Sequence, residues 1–156
     1  MIRAIQLLFT LLITLQFVVI VLHDLVDLPG WTNARKMREV VGVKKLWLAT
    51  CVNAIFPGIA VGFAIYAWHR AAPQFMTTYW LVYCGVTLLS AIGMWYVPYF
   101  RGATREKALD YLAMYEGTRQ VLPARGENPR PNLLHVCFHV LFVVNLGMAV
   151  ALRFGR

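Results

Sequence analysis

The chain has 156 residues, 60% of them hydrophobic and only 14% charged, with a formal net charge of +8 at pH 7. A mean hydropathy of +0.60 excludes an ordinary soluble domain, in which about 25% of residues are charged. With no soluble basic domain, no nucleic-acid partner is expected, and the positive charge is assigned to the bilayer and its anionic lipid head groups.

Four stretches meet the requirement of ~20 apolar residues per helical span: about residues 5–28, 43–68, 73–97 and 133–152. None has an ionisable residue near its middle. All are continuously apolar, unlike the alternating strands of a membrane barrel. The expected fold class is therefore an all-α integral membrane protein, a single domain over residues 1–156 built as a four-transmembrane-helix bundle.

The first stretch could be taken for a secretory leader because it follows Arg3. Its apolar run is too long, it ends in His23-Asp24 instead of a small-residue cleavage site, and three more spans follow, so a retained helix is expected. Leu28-Pro29-Gly30 should stop it. Thr32 is then a candidate N-cap for a short basic helix from Asn33 to Val41, closed by Gly42.

The second stretch contains Pro57, which should kink it, and Gly58 with Gly62 offers a small face for close packing. The short connection at His69 and Arg70 makes the second and third spans a hairpin, and His69 is expected to be structural. The third span ends in Trp95-Tyr96-Val97-Pro98-Tyr99-Phe100, which reads as an aromatic belt at the head groups. Cys51, Cys84 and Cys137 fall inside spans without metal or redox spacing and read as small apolar fillers.

The third connection divides in two. Residues 104–121 form an expected amphipathic interfacial helix with Leu109, Leu112 and Tyr115 on one face. Residues 122–132 hold Pro123, Pro129, Pro131 and Gly126 and must be a loop, after which Asn132 is a natural N-cap for the last span. The first and third connections carry eleven of the Lys and Arg residues, against four elsewhere. The positive-inside rule then places these loops in the cytoplasm and both termini outside, with a bacterial inner membrane as the expected location.

Three of the four histidines fall at this basic end. His23 and Asp27 close the first stretch, and His135 and His139 open the last; in an antiparallel bundle these ends meet. Residues four apart share one helix face, so each pair should project in a single direction. Imidazole with carboxylate suits Zn or Fe, which makes His23, Asp27, His135 and His139 the expected metal ligands. Asp24 should orient a ligand imidazole, while Arg130 with Asn128 covers the site from the Pro-rich loop and Arg130 or Arg125 holds an anionic head group. Haem fits less well, because two histidine pairs leave spare ligands.

Other enzyme signatures are absent: there is no GxSxG, P-loop or HExxH. Ion-coupled transport lacks a mid-membrane ionisable group, since only Gln16, Asn53, Ser90 and Asn145 are polar there. The expectation is a metal-dependent membrane enzyme acting on a lipid-like or amphiphilic substrate. The alternatives are a non-catalytic subunit or scaffold of a larger membrane complex, with homo-oligomers included, or a neutral-solute carrier.

Overall fold

The computed structural model describes residues 2–155, and the backbone alone at His69, so the expected role of that side chain lies outside the described residues. All regular elements among them are helical: α1 (Ile2–Leu22), α2 (Ala34–Val41), α3 (Val43–His69), α4 (Gln74–Ala91), a π-helical turn (Ile92–Tyr96), α5 (Val97–Arg101), α6 (Arg105–Met114) and α7 (Leu133–Phe154). Four segments are long and apolar enough to cross a membrane: Ile2–Leu22, Val43–Trp68, Gln74–Arg101 and Leu133–Phe154.

Helix α1 stops at Leu22, short of the expected Leu28, because His23 closes it. The ring Nδ1–H of His23 lies 3.1 Å from the carbonyl of Val19, which also accepts the His23 backbone N–H at 2.9 Å, and 2.9 Å from that of Ile20, so the side chain caps the helix C-terminus. A turn follows, with Leu25 N–H donating to Leu22 O at 2.9 Å. Thr32 is not the cap of α2. Its hydroxyl accepts from Leu28 N–H at 2.7 Å and donates to Val26 O at 2.6 Å, folding the segment on itself. Asn33 takes the cap position, its side chain accepting from Lys36 N–H at 3.1 Å.

The third span continues past residue 97 to Arg101 through the π-helical turn, in which Val97 N–H donates to Ile92 O. Pro98 has no N–H, so the ladder loses a bond here in either register and the wider turn is cheap. Helix α6 starts at its Thr104 cap and ends at Met114, earlier than expected; Gly117, at φ +76°, turns the chain.

The spans form a ring in which α1 lies between α3 and α7, and α4 lies opposite α1. Phe9, Ile13, Trp80 and Phe142 fill the centre, and Ala60, Ala64, Ala67 and Ala149 allow close approach. Trp80 Nε1–H donates to Ala60 O at 3.0 Å and Tyr79 OH to Phe56 O at 2.9 Å, tying α4 to α3 on the hairpin side. Gln6 Nε2 bonds Ala67 O near the N-terminus. Asn145 Nδ2 donates to Gln16 Oε1 at 2.8 Å, the buried polar link between α1 and α7. Leu48, Leu89 and many other large apolar residues face outward, a surface that suits hydrocarbon and not water. Of the free thiols, Cys84 is buried, whereas Cys51 and Cys137 are exposed.

The two basic connections pack together at one end. Arg119 N–H donates to Gly30 O at 2.8 Å, Asn33 Nδ2 to Glu116 O at 2.7 Å, and Asn132 Nδ2 to Trp31 O at 3.2 Å. Pro129 and Pro131 are fully buried, so the proline-rich segment is a packed element of this end.

Candidate functional site

The end of α1 and the start of α7 bring three imidazoles into series. The His23 and His135 ring centroids are 6.0 Å apart, and those of His135 and His139 are 6.2 Å apart. The i, i+4 spacing accounts for the second contact. It does not account for the first residue pair, because His23 lies just beyond α1 and Asp27 is not helical.

Asp24, not Asp27, accompanies His23. Its Oδ1 lies 3.1 Å from His23 Nε2. Since Nδ1 donates to backbone carbonyls, Nε2 faces the carboxyl, and a single proton between Nε2 and Oδ1 makes this contact a hydrogen bond. Burial pushes the Asp24 carboxyl above its usual range, and the attraction of His23 opposes the shift in part. Asp27 points elsewhere: its Oδ1 accepts from Arg35 N–H at 3.3 Å, and its Oδ2 is 3.8 Å from Arg38.

Asn132 orients the second imidazole. Its side-chain oxygen caps α7 through His135 N–H at 3.0 Å and also accepts from His135 Nδ1 at 2.8 Å. An amide oxygen only accepts, so His135 keeps its proton on Nδ1 and its lone pair on Nε2. The π-helical turn supplies the aromatic wall: Trp95 lies tilted against His135 with ring centroids 4.1 Å apart, and Tyr96 OH sits 3.2 Å from His139 Nδ1. From the third connection, Tyr115 meets His135 at 5.2 Å. Burial first, then Asp24 and Tyr111, raise the Tyr115 phenol far above its ordinary value, so it stays neutral.

Arg130 and Asn128 are not brought to the imidazoles; they build the loop. Arg130 donates to Leu122 O at 3.0 Å, and Asn128 Nδ2 to Tyr99 O at 3.0 Å. Arg125 lies over the rings of Phe100 and Tyr99, at 5.1 and 5.6 Å.

The expected four-ligand metal set is not assembled. Asp27 is held at the arginines, and His23 presents one nitrogen to backbone carbonyls and the other to Asp24. Among the described residues no group of three or more His, Cys, Asp or Glu side chains is placed to hold a metal ion.

Below the imidazoles lies a cavity of about 530 Å³ between α1, α3, α4 and α7. His23, His135, His139 and Trp95 form its polar end. Its walls are mainly apolar, and Val52 and Phe56 on α3 with Val86 on α4 and Met94 in the π-helical turn are exposed while lining it, so it opens sideways between α3 and the third span. From Tyr79 to Trp95 it extends about 24 Å along the third span, at ~1.5 Å per residue. Val52, Val86 and Met94 belong to segments long and apolar enough to cross a membrane.

Sequence reasoning missed Trp95, Tyr96, Tyr115 and the second role of Asn132. The one available signal was Trp95-Tyr96 placed between Gly93 and Pro98, where a helix register is easily shifted. No protein-family model, curated protein or solved structure matches the chain.

Proposed function

We propose that the chain is a membrane enzyme that takes a lipid-like amphiphile from the bilayer through the opening between α3 and α4. The observation that carries this reading is the union of an elongated apolar cavity with imidazoles at one end only. The hydrocarbon tail occupies the walls, and the polar group meets His135 and His139, as sites of this kind combine apolar lining with a few placed polar groups. Asp24 and His23 hold a proton beside His135, whose Nε2 lone pair accepts one; general acid–base chemistry is the reaction class.

The donor geometry supports metal-free chemistry better than the Zn or Fe site that the histidine spacing points to, since both nitrogens of His23 are engaged. The excess of Lys and Arg in its two connections favours a cytoplasmic side for the basic end, with the termini outside. Leu109 and Leu112 of α6 are exposed, which favours that helix lying on the head groups.

The test has two arms. A photoactivatable fatty acid incubated with the purified chain in nanodiscs should label α3 and α4 near Val52, Val86 and Met94, and Val86→Trp, which fills the cavity, should abolish that label. Mass spectra of a bacterial lipid extract, taken before and after incubation, should show a species converted by the wild type and not by His135→Gln. Labelling of outer surfaces alone, indifferent to Val86→Trp, would refute the cavity; labelling without conversion would leave a binding protein and refute the enzyme.

A further inference from the structure

Of the uncharged polar residues inside the spans, Gln16 and Asn145 bond each other. Asn53 on α3 and Ser90 on α4 do not: their side chains make no hydrogen bond to any described residue, yet both residues are exposed and both line the cavity. Hydroxyls inside helices ordinarily bond the carbonyl one turn back, as Thr10, Thr78 and Thr87 do at 2.8, 3.0 and 2.8 Å. Ser90 makes no such bond. The backbone adds a third polar group here, because Pro57, also in the cavity wall, has no N–H to donate to the carbonyl of Asn53 four residues before it.

The topology sets these groups at one height. Asn53 lies as many residues before the end of α3 at His69 as Ser90 lies after the start of α4 at Gln74, so the antiparallel hairpin brings them to the same level on the two sides of the opening. Trp95, which touches the His135 ring, stands one and a half turns past Ser90, about 8 Å along the span at ~1.5 Å per residue.

We propose that Asn53 and Ser90 bind the acyl carbonyl of the ligand, the Asn53 amide and the Ser90 hydroxyl donating to its oxygen. The assignment rests on the cavity reading above and narrows its substrate class to an amphiphile whose chain is joined to the head by an ester or amide. The head group meets the imidazoles, the linkage lies between Asn53 and Ser90, and the hydrocarbon continues toward Tyr79. An ether-linked chain leaves both donors without the carbonyl, and unpaired polar groups in hydrocarbon are costly. An amide linkage also brings an N–H for the Asn53 carbonyl that Pro57 leaves unpaired.

The experiment labels the full chain in nanodiscs with the photoactivatable fatty acid and measures protection by 1-palmitoylglycerol and by 1-hexadecylglycerol, which differ only in the carbonyl oxygen. The acyl compound should protect the wild type at about a tenfold lower concentration than the ether, the effect of one hydrogen bond. Asn53→Leu with Ser90→Ala should abolish that preference while the ether protects as before, which also shows that the double variant is folded; each single variant should lose part of it. Equal protection by the two compounds in the wild type, or a preference that survives the double substitution, would overturn the assignment while leaving the cavity intact. Native mass spectra supply a second check: a wild-type dimer that the double variant loses would show that the two side chains join copies of the chain, and would overturn it too. Fatty-acid labelling that is absent, or indifferent to Val86→Trp, would instead remove the cavity reading on which the assignment rests.

Discussion

A single oxygen, Oδ1 of Asn132, accepts both the backbone N–H of His135 at 3.0 Å and its ring Nδ1–H at 2.8 Å. The residue that starts α7 therefore also sets the tautomer of the central imidazole. Asn132 is 1% exposed and donates its own amide to Trp31 O at 3.2 Å, so the same side chain joins the two connections. Asn132→Ala should lower unfolding stability by about 1–2 kcal/mol through loss of the cap alone. Asn132→Ser should recover most of that loss without restoring the ring contact. ¹⁵N NMR of His135 separates the effects: the Nδ1–H tautomer should persist only in the wild type. Persistence in both variants would show that another group orients the ring.

Asp24 carries the pH dependence. Burial raises its carboxyl above 3.8 in the folded chain, with His23 opposing. The folded state then retains a proton that the unfolded chain has already released, so stability is highest below that value and declines as pH rises through the raised one. Asp24→Asn should remove this decline, melting above the wild type at neutral pH and converging with it in acid. Parallel pH–melting profiles for the two proteins would contradict the assignment.

Asp27 makes the opposite case. It is half exposed, 3.8 Å from Arg38, and no part of the imidazole series. Exposed pairs of this kind contribute about 0–1 kcal/mol. Asp27→Ala should change stability by no more than that and leave binding of the fatty-acid probe unaltered, whereas His135→Ala should weaken it. A loss of probe binding in Asp27→Ala equal to that of His135→Ala would return Asp27 to the site.

Trp95 is the structural keystone of the wall. At 6% exposure it touches His135 at 4.1 Å, Tyr111 at 5.0 Å and Tyr115 at 5.3 Å. Trp95→Ala should cost about 3–5 kcal/mol, as for other buried aromatic truncations, and Trp95→Phe distinctly less. Loss of the ring current should also shift the His135 carbon-bound ring protons. An unchanged His135 spectrum in Trp95→Ala would place the indole elsewhere.

The Gln16–Asn145 link, 2.8 Å long and buried, joins α1 to α7. Interhelical pairs in membrane proteins contribute about 0.6–2 kcal/mol. Gln16→Leu or Asn145→Leu alone should destabilise by an amount in that range, because each leaves a buried amide unpaired. The double variant should recover part of the loss. Additive losses in a double-mutant cycle would show that the two side chains do not interact.

The sequence alone determined what depends on composition and local pattern. Apolar runs of ~20 residues specify spans because a backbone in hydrocarbon must satisfy itself by helix formation. Asn132 before an apolar run specifies a cap. The convergence of His23 and His135 also followed, since antiparallel neighbours must meet at their ends. Other features needed the tertiary structure, because each is decided by a competition that residue spacing does not encode. His23 satisfies the terminal carbonyls of α1 and stops that helix early, which removes Asp27 from the site and brings in Asp24. The π-helical turn swings Trp95 and Tyr96 from an expected interfacial belt onto His135 and His139. Arg130 and Asn128 were charged or polar neighbours in sequence, but the packing of Pro129 and Pro131 commits them to loop carbonyls. The cavity arises from the gap between α3 and α4, which no one-dimensional pattern records.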